Sequence, residues 1–226
     1  LTEEIRDKGG KVHFSTELIE LREEETVILK AKDGNSKEVT HHFDKVIVTL
    51  PSFLFAKMTP QLPEDYLKKL HRLKGLGATN LVLRLREPFF QDNTYWLSVC
   101  DTSSPVMAIV EHTNFMDRKH YNNEYLLYLG NYVSPDHEYF AMDEKTMLKK
   151  FDPFLKNINP NYEQHLIGMK LFKAPFAQPI IPINYSKLLP SMLTPLPNVY
   201  LANIEQVYPW DRGTNYAVEL GEKVAE

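Results

Sequence analysis

NVYLANIEQVYPWDRGTNYAVELGEKVAE, residues 198–226, holds the organisation of this chain in its shortest form. Val199 to Ala202 is a short apolar run that reads as a buried strand ending at Ala202-Asn203. A loop follows, carrying Arg212-Gly213-Thr214-Asn215, and a helix is predicted to begin near Thr214 or Asn215. The first turn of a helix leaves backbone N–H groups without intrahelical partners and carries the positive end of the macrodipole, so small residues at that point suit an approaching anion or polar carbonyl. Ala217 and Gly221 lie four apart, a spacing that would let the helix pack close to a sheet.

A second apolar run, within FDKVIVTLP at residues 43–51, has Val46, Ile47 and Val48 without alternation, as expected of a strand covered on both faces, and Pro51 closes it. Upstream, Leu1 and Ile5 share one face of a helix whose stop signal is Gly9-Gly10, so the sequence is expected to open mid-protein. KVHF, ELIELREEE and TVILKAK then read as strands of a small antiparallel meander punctuated by Asp33-Gly34-Asn35, with Glu20, Glu23, Glu24 and Glu25 as a solvated rim.

Between these ends the pattern changes. Leu62, Tyr66, Leu70 and Leu73 keep helical spacing, with Pro63 at a tolerated first-turn position. Strands are predicted over 80–86, 95–99, 106–111 and 125–133, and a helix from Asp143 through Ile158 with Met147, Leu148, Phe151, Phe154 and Leu155 inward. From Ala174 to Pro197 the chain carries six of its 15 prolines, which predicts an extended, irregular passage. The expectation is an α+β fold: a mixed β-sheet domain with helices at 51–180, flanked by segments 1–50 and 181–226.

Composition narrows the function. With 26 Lys+Arg against 30 Asp+Glu the net charge is −4, which excludes a generic nucleic-acid binder. Hydrophobic residues at 43% and charged residues at 25% describe a folded globular chain. One cysteine, Cys100, excludes a disulfide framework and reads as a small buried hydrophobe. No apolar stretch reaches the ~20 residues of a membrane span, and the first residues lack the pattern of a signal peptide, so the chain is expected in the cytoplasm, free or peripheral to a membrane.

GLGATN, at 75–80, holds two of the three glycines of a dinucleotide fingerprint, but a helix precedes it and a strand follows, the reverse of the required order, so a helix stop and turn is the better reading. His41-His42 and His112 with His120 lack ligand spacing on a defined element, and no metal site is expected. Glu111 and His112 follow an apolar strand and precede a turn, where they could line a pocket wall or simply end the strand; Tyr95 and Trp96 pose the same choice against core packing.

Three stretches together resemble the FAD-dependent amine oxidase superfamily, the group that includes phytoene desaturases, protoporphyrinogen oxidases and amine oxidases. They are the head LTEEIRDKGGKVHFSTELIEL, the return strand FDKVIVTLPS, and the closing NVYLANIEQVYPWDRGTNYAVELGEKVA. The resemblance implies that 1–50 and 181–226 are partial FAD-binding segments of Rossmann type and that 51–180 binds substrate. It implies the backbone of Val12 beside the adenine, Ala202 and Asn203 near the pyrophosphate and ribityl chain, and Gly213, Thr214, Asn215, Tyr216, Ala217 and Val218 at the flavin, with the N–H of Ala217 or Val218 donating to the pyrimidine oxygen. The family's closing signature has Glu-Gly before Ala-Val where this chain has Asn215-Tyr216. The family's Rossmann strand and G-x-G-x-x-G lie upstream, so the chain corresponds to the second half of such an enzyme, inactive alone, with the N-terminal FAD-binding half as its partner and no nucleic acid or transmembrane segment. The implied activity is hydride transfer from an organic, largely apolar substrate to flavin, with no catalytic residue assigned. Family amine oxidases carry a lysine where Asn80 stands and a tyrosine where Gly213 stands, so small primary amines are not expected as substrates; Phe89, Phe90, Tyr95, Trp96 and Phe115 offer an apolar setting instead, with Tyr95, Trp96, Glu111 and His112 as pocket candidates. The alternatives are a non-catalytic binding module of the same fold and a flavin-dependent isomerase or mutase.

Overall fold

A computed structural model describes residues 1–226 as two compact units, one formed by Leu1–Lys74 with Ile181–Glu226 and the other by Gly75–Ile180. The first unit opens with α1 (Thr2–Asp7), which Gly9 ends in the left-handed region at φ +81°; a Cβ on Gly10 would collide with Ile5. KVHF, expected as a strand, joins no ladder. The meander is β1 (Glu17–Glu23), β2 (Val27–Lys32) and β3 (Glu38–Phe43), antiparallel throughout. Asp33 Oδ1 fixes the β2–β3 turn by accepting from the N–H groups of Asn35 and Lys37, each at 2.9 Å. Glu20 is no free rim residue: it pairs with Arg22 and Lys30.

After β4 (Val46–Val48) come α2 (Ser52–Met58) and α3 (Glu64–Leu70). These helices and the residues beside them bury Phe55, Leu62, Leu70 and Leu73 with Leu21, Val27, Val48, Val199 and Leu201. That shared core places residues 51–74 in the first unit, whereas the sequence reading put a boundary at Pro51.

The second unit is a five-stranded antiparallel sheet, made of β5 (Gly75–Leu85), β6 (Trp96–Ser98), β7 (Ala108–Glu111) and β8 (Tyr125–Val133), then α4 (Glu144–Ile158), then β9 (Leu166–Pro179), in spatial order β6-β7-β8-β5-β9. Strand alternation sends Leu81, Leu83, Leu85, Ile109, Leu127 and Leu129 to one face, where Met147, Phe151 and Leu155 of α4 meet them. Asp143 caps α4, accepting from Thr146 N–H at 2.8 Å, and the carbonyl that Pro153 leaves unpaired belongs to exposed Lys149.

Two expectations fail here for reasons the sheet makes plain. Gly75 and Gly77 are not a turn. They begin β5, and the rings of Phe176 and Phe140 occupy the space where their side chains would stand. Nor is Ala174–Pro179 irregular: it is the end of β9, where the register moves from Ala78↔Ala174 to Leu76↔Gln178, a bulge that takes Pro175 out of the ladder.

The chain then returns through an irregular passage with buried Tyr185 to β10 (Val199–Leu201), parallel to β4 through Val199↔Val46, Tyr200↔Ile47 and Leu201↔Val48, and to α5 (Thr214–Ala225). The strand β4 is not covered on both faces, since Ile47 is 45% exposed, and α5 buries no residue; Gly221 faces open space rather than a sheet. No helix of the molecule is long and apolar enough to cross a membrane.

Candidate functional site

Each unit carries a cleft of interest. That of the first unit, about 780 Å³, lies beyond the carboxyl ends of the parallel pair β4 and β10, the place where open α/β sheets receive ligands. Its walls are Ile47, Thr49, Ala202 and Asn203 on one side and Gly213, Thr214, Ala217, Leu220, Gly221 and Val224 of α5 and its cap on the other. No carboxylate lines it, and Arg212 is its one charged side chain.

The cleft unites Ala202, Asn203, Gly213, Thr214 and Ala217 and leaves out four residues named from the sequence. Val12 is half-buried in the irregular segment before β1. The side chain of Asn215 folds over Gly213, Tyr216 stacks on Trp210 with ring centroids 5.8 Å apart, and Val218 is exposed. The donor assignment also changes. Gly213 is the cap of α5 and its carbonyl already accepts the Ala217 N–H at 3.0 Å, so the N–H groups without an intrahelical acceptor are those of Thr214, Asn215 and Tyr216. A proline at 217 would break a bond and clash with the Gly213 carbonyl; at 214 it would do neither.

Asn203 owes its place to a buried network. Its Nδ2 donates to the Leu50 carbonyl at 3.0 Å and to Ser52 Oγ at 3.1 Å, and its Oδ1 accepts from Glu205 N–H. Glu205 in turn accepts from the N–H and hydroxyl of Ser52. The side chain of Asn203 is held in place by this network. Burial pushes the Glu205 carboxyl above its ordinary 4.5, against those hydrogen bonds. The folded state therefore holds this proton more tightly than the unfolded one, and the stabilisation is full below pH 4.5 and lost as pH rises through the folded value. Glu205→Gln is expected to flatten that decline. Urea titrations across the range, followed by Trp210 in the first unit, measure it, with Glu111 of the second unit shifted the same way as the internal comparison.

The second unit's cleft, about 270 Å³, opens on the sheet face opposite α4. Gly130 forms its floor, between Ala108 of β7 and Asn80 of β5. Tyr95, Trp96, Met107, Val110, His112 and Tyr128 rise around it. The His112 ring lies 5.2 Å from that of Tyr128, nearly parallel, and its Nε2 is 2.8 Å from the Tyr121 hydroxyl. Burial raises the Tyr128 hydroxyl above its ordinary 10.0.

Of the four residues proposed for a pocket, Tyr95, Trp96 and His112 line it and Glu111 does not. The Glu111 carboxylate is fully buried and turned away, accepting from Phe89 N–H and Phe90 N–H at 2.8 Å each and from Asn114 Nδ2 at 3.2 Å. Phe89 and Phe90, expected to offer an apolar surface to substrate, are core residues, and Cys100 is exposed rather than buried. Sequence reasoning missed Gly130, Tyr128 and Met107. An isolated glycine in a strand pattern is a signal of close approach, and Gly130 gave that signal.

The profile of flavin containing amine oxidoreductases matches residues 1–226. No curated protein matches the chain. Among solved structures, an oxidoreductase from Methanosarcina mazei superposes with a TM-score of 0.68 at 18% identity, over 98% of this chain and 51% of its own. A candidate protoporphyrinogen oxidase from Exiguobacterium gives 0.69 at 10% identity, over 93% and 46%. A putrescine oxidase redesigned in its cofactor binding gives 0.67 at 11% identity, over 93% and 47%. The chain thus spans about half the length of these structures, and its mixed α/β architecture is similar to theirs. With the profile matched from end to end, the chain belongs to the flavin containing amine oxidoreductase family.

Proposed function

We propose that this chain is the C-terminal part of an FAD-dependent oxidoreductase acting on a neutral, largely apolar organic substrate. The observation that carries the reading is the chemistry of the larger cleft: free helix N–H groups, one arginine and no carboxylate, at the carboxyl ends of parallel strands, a set that suits an anionic dinucleotide. Bound there, FAD would supply the hydride acceptor. The N–H groups of Thr214, Asn215 and Tyr216 would meet the polar end of the flavin, Ala202 and Gly213 would let it lie close to the backbone, and Ile47, Leu220 and Val224 would exclude water from it. The second unit would offer the substrate a wall of Tyr95, Trp96, His112 and Tyr128 with no carboxylate to hold an ammonium group. The remainder of the FAD site would come from a partner segment outside these residues, as the half coverage of the solved structures supports.

Two measurements test this. The 226-residue chain alone is expected to purify colourless and to hold FAD weakly; a stoichiometric yellow protein would sink the division of the site. In the complete protein, Thr214→Pro is expected to fold, because Gly213 is already extended at φ −167° and ψ 155°, which is what a following proline requires, and to weaken FAD binding read by quenching of flavin fluorescence. Unchanged affinity in that folded variant would remove α5 from the cofactor site.

A further inference from the structure

We propose that Glu205, which does not itself line the larger cleft, is a positioning residue for it: through Ser52 and Asn203 it fixes the two chain segments that leave β4 and β10, and FAD affinity depends on its acceptor oxygen rather than on its charge. The proposal rests on the reading of that cleft as the flavin site and adds to it a residue that acts through others.

The parallel pair ends at Val48 and Leu201, with one further backbone bond from the Ala202 N–H to the Val48 carbonyl at 2.9 Å. Beyond it one chain segment enters α2 and the other the turn at Ile204–Gln206. The residues at this point, Thr49, Ala202, Asn203 and Ile204, are cleft wall. Side chains take over from the ladder there. Asn203 Nδ2 reaches across to the Leu50 carbonyl and to Ser52 Oγ, and Glu205 Oε2 accepts both the Ser52 N–H, at 3.0 Å, and the Ser52 hydroxyl. The turn is locked from its own side as well, because Asn203 and Gln206 cap it reciprocally and Gln206 Nε2 donates to the Leu201 and Pro190 carbonyls.

Ser52, Asn203 and Glu205 are all buried, and apolar side chains of the same volume would hold β4 against β10 at least as firmly. What a satisfied polar network adds is one fixed arrangement, because each of its bonds has a direction. Ser52 opens α2, and its Pro51 cap supplies no side-chain acceptor, so Glu205, 153 residues away, takes that N–H. Both bonds from Ser52 end on the same oxygen, Oε2, which the carbonyl of an uncharged amide can replace. A leucine cannot. It would leave the N–H and hydroxyl of Ser52 buried without that acceptor, and the Ser52 oxygen that Asn203 donates to would be free to turn. The effect falls on the strand wall of the cleft, since these bonds involve no residue of α5.

Titration of the complete protein, stripped of cofactor, with FAD and quenching of flavin fluorescence as the signal tests this. Glu205→Leu is expected to weaken binding at least about tenfold, and Glu205→Gln, which keeps an acceptor, to stay within about threefold of native. Ser52→Ala keeps the backbone bond to Glu205 and removes the link to Asn203, so it should fold and weaken FAD about three- to tenfold; it decides the matter should Glu205→Leu not fold. Leu70→Ala, in the same core but outside the network, is the control for lost stability: it should melt lower and bind FAD as the native protein does. Native affinity in folded Glu205→Leu or in Ser52→Ala, a Glu205→Gln protein as weak as Glu205→Leu, or an equal loss in Leu70→Ala would each overturn the role of Glu205 and leave the cleft as the flavin site. A native protein that binds no FAD would overturn the flavin reading itself, and this proposal with it.

Discussion

Gly130→Val is expected to leave the second unit folded and to lower kcat/KM of the complete protein by about 100-fold or more. The two halves of that result come from one geometric fact. A Cβ built on Gly130 meets only the Ala108 carbonyl, at 3.9 Å, so the strand itself has room for a side chain. In a strand interior glycine costs roughly 0.5–1 kcal/mol relative to alanine, and valine is a preferred strand residue, so the variant should be as stable as the native chain or slightly more so. The added methyl groups would stand on the floor of a cleft of only about 270 Å³, beside Asn80 and under Tyr128. Gly77→Val is the matched control: its Cβ would strike the Phe140 ring and approach the Ala174 carbonyl at 2.9 Å, so stability should fall by about 1–3 kcal/mol through overpacking. Thermal melts together with steady-state kinetics distinguish the two glycines. A Gly130→Val protein with native turnover would mean that substrate does not enter this cleft.

The second large effect belongs to Glu111. Glu111→Leu removes a buried acceptor from two backbone N–H groups and one side-chain amide, and a loss of roughly 3–5 kcal/mol is expected. Glu111→Gln keeps one acceptor oxygen and should lose less, roughly 1–3 kcal/mol, with turnover per folded molecule near native. Urea unfolding followed by Trp96, which lies in the second unit, reads the loss. If Glu111→Leu unfolded at the native urea concentration, the carboxylate would not be what holds the Phe89-Phe90 backbone. If Glu111→Gln folded normally but turned over no substrate, the assignment of Glu111 to structure would be wrong.

The elements legible in the sequence are those whose signal is local. Tyr125–Val133 is rich in leucine and aromatic residues between turn signals, Asp143 announces α4 three residues ahead of its partner Thr146, and the closing strand, loop and helix read directly. What escaped depends on partners distant in sequence. Pro175 looked like the start of an irregular passage because nothing near it shows that β5 faces it with a bulge. Gly75 and Gly77 looked like a turn because the rings that fill their space belong to Phe176 and Phe140. Glu111 was placed correctly at a strand end, but which way its carboxylate turns is set by Phe89 and Phe90, on a loop the sequence could not bring to it. The helix donors shifted for a smaller reason. With Gly213 as cap, the Ala217 N–H has an acceptor, and one residue of boundary decides which groups are free.

The division of the first unit into two stretches separated by the second has a consequence for synthesis. Val46–Val48 leaves the ribosome long before Val199–Leu201, the strand it pairs with, and a parallel pair gains nothing until both are present. Gly75–Ile180 has its whole sheet and its helix in one continuous stretch, so it can complete its core while the earlier residues wait. Until Leu201 emerges, Phe55, Leu62 and Leu70 lack part of the apolar surface that covers them, and the nascent chain has a hydrophobic face to offer a chaperone for as long as the middle of the protein takes to be made.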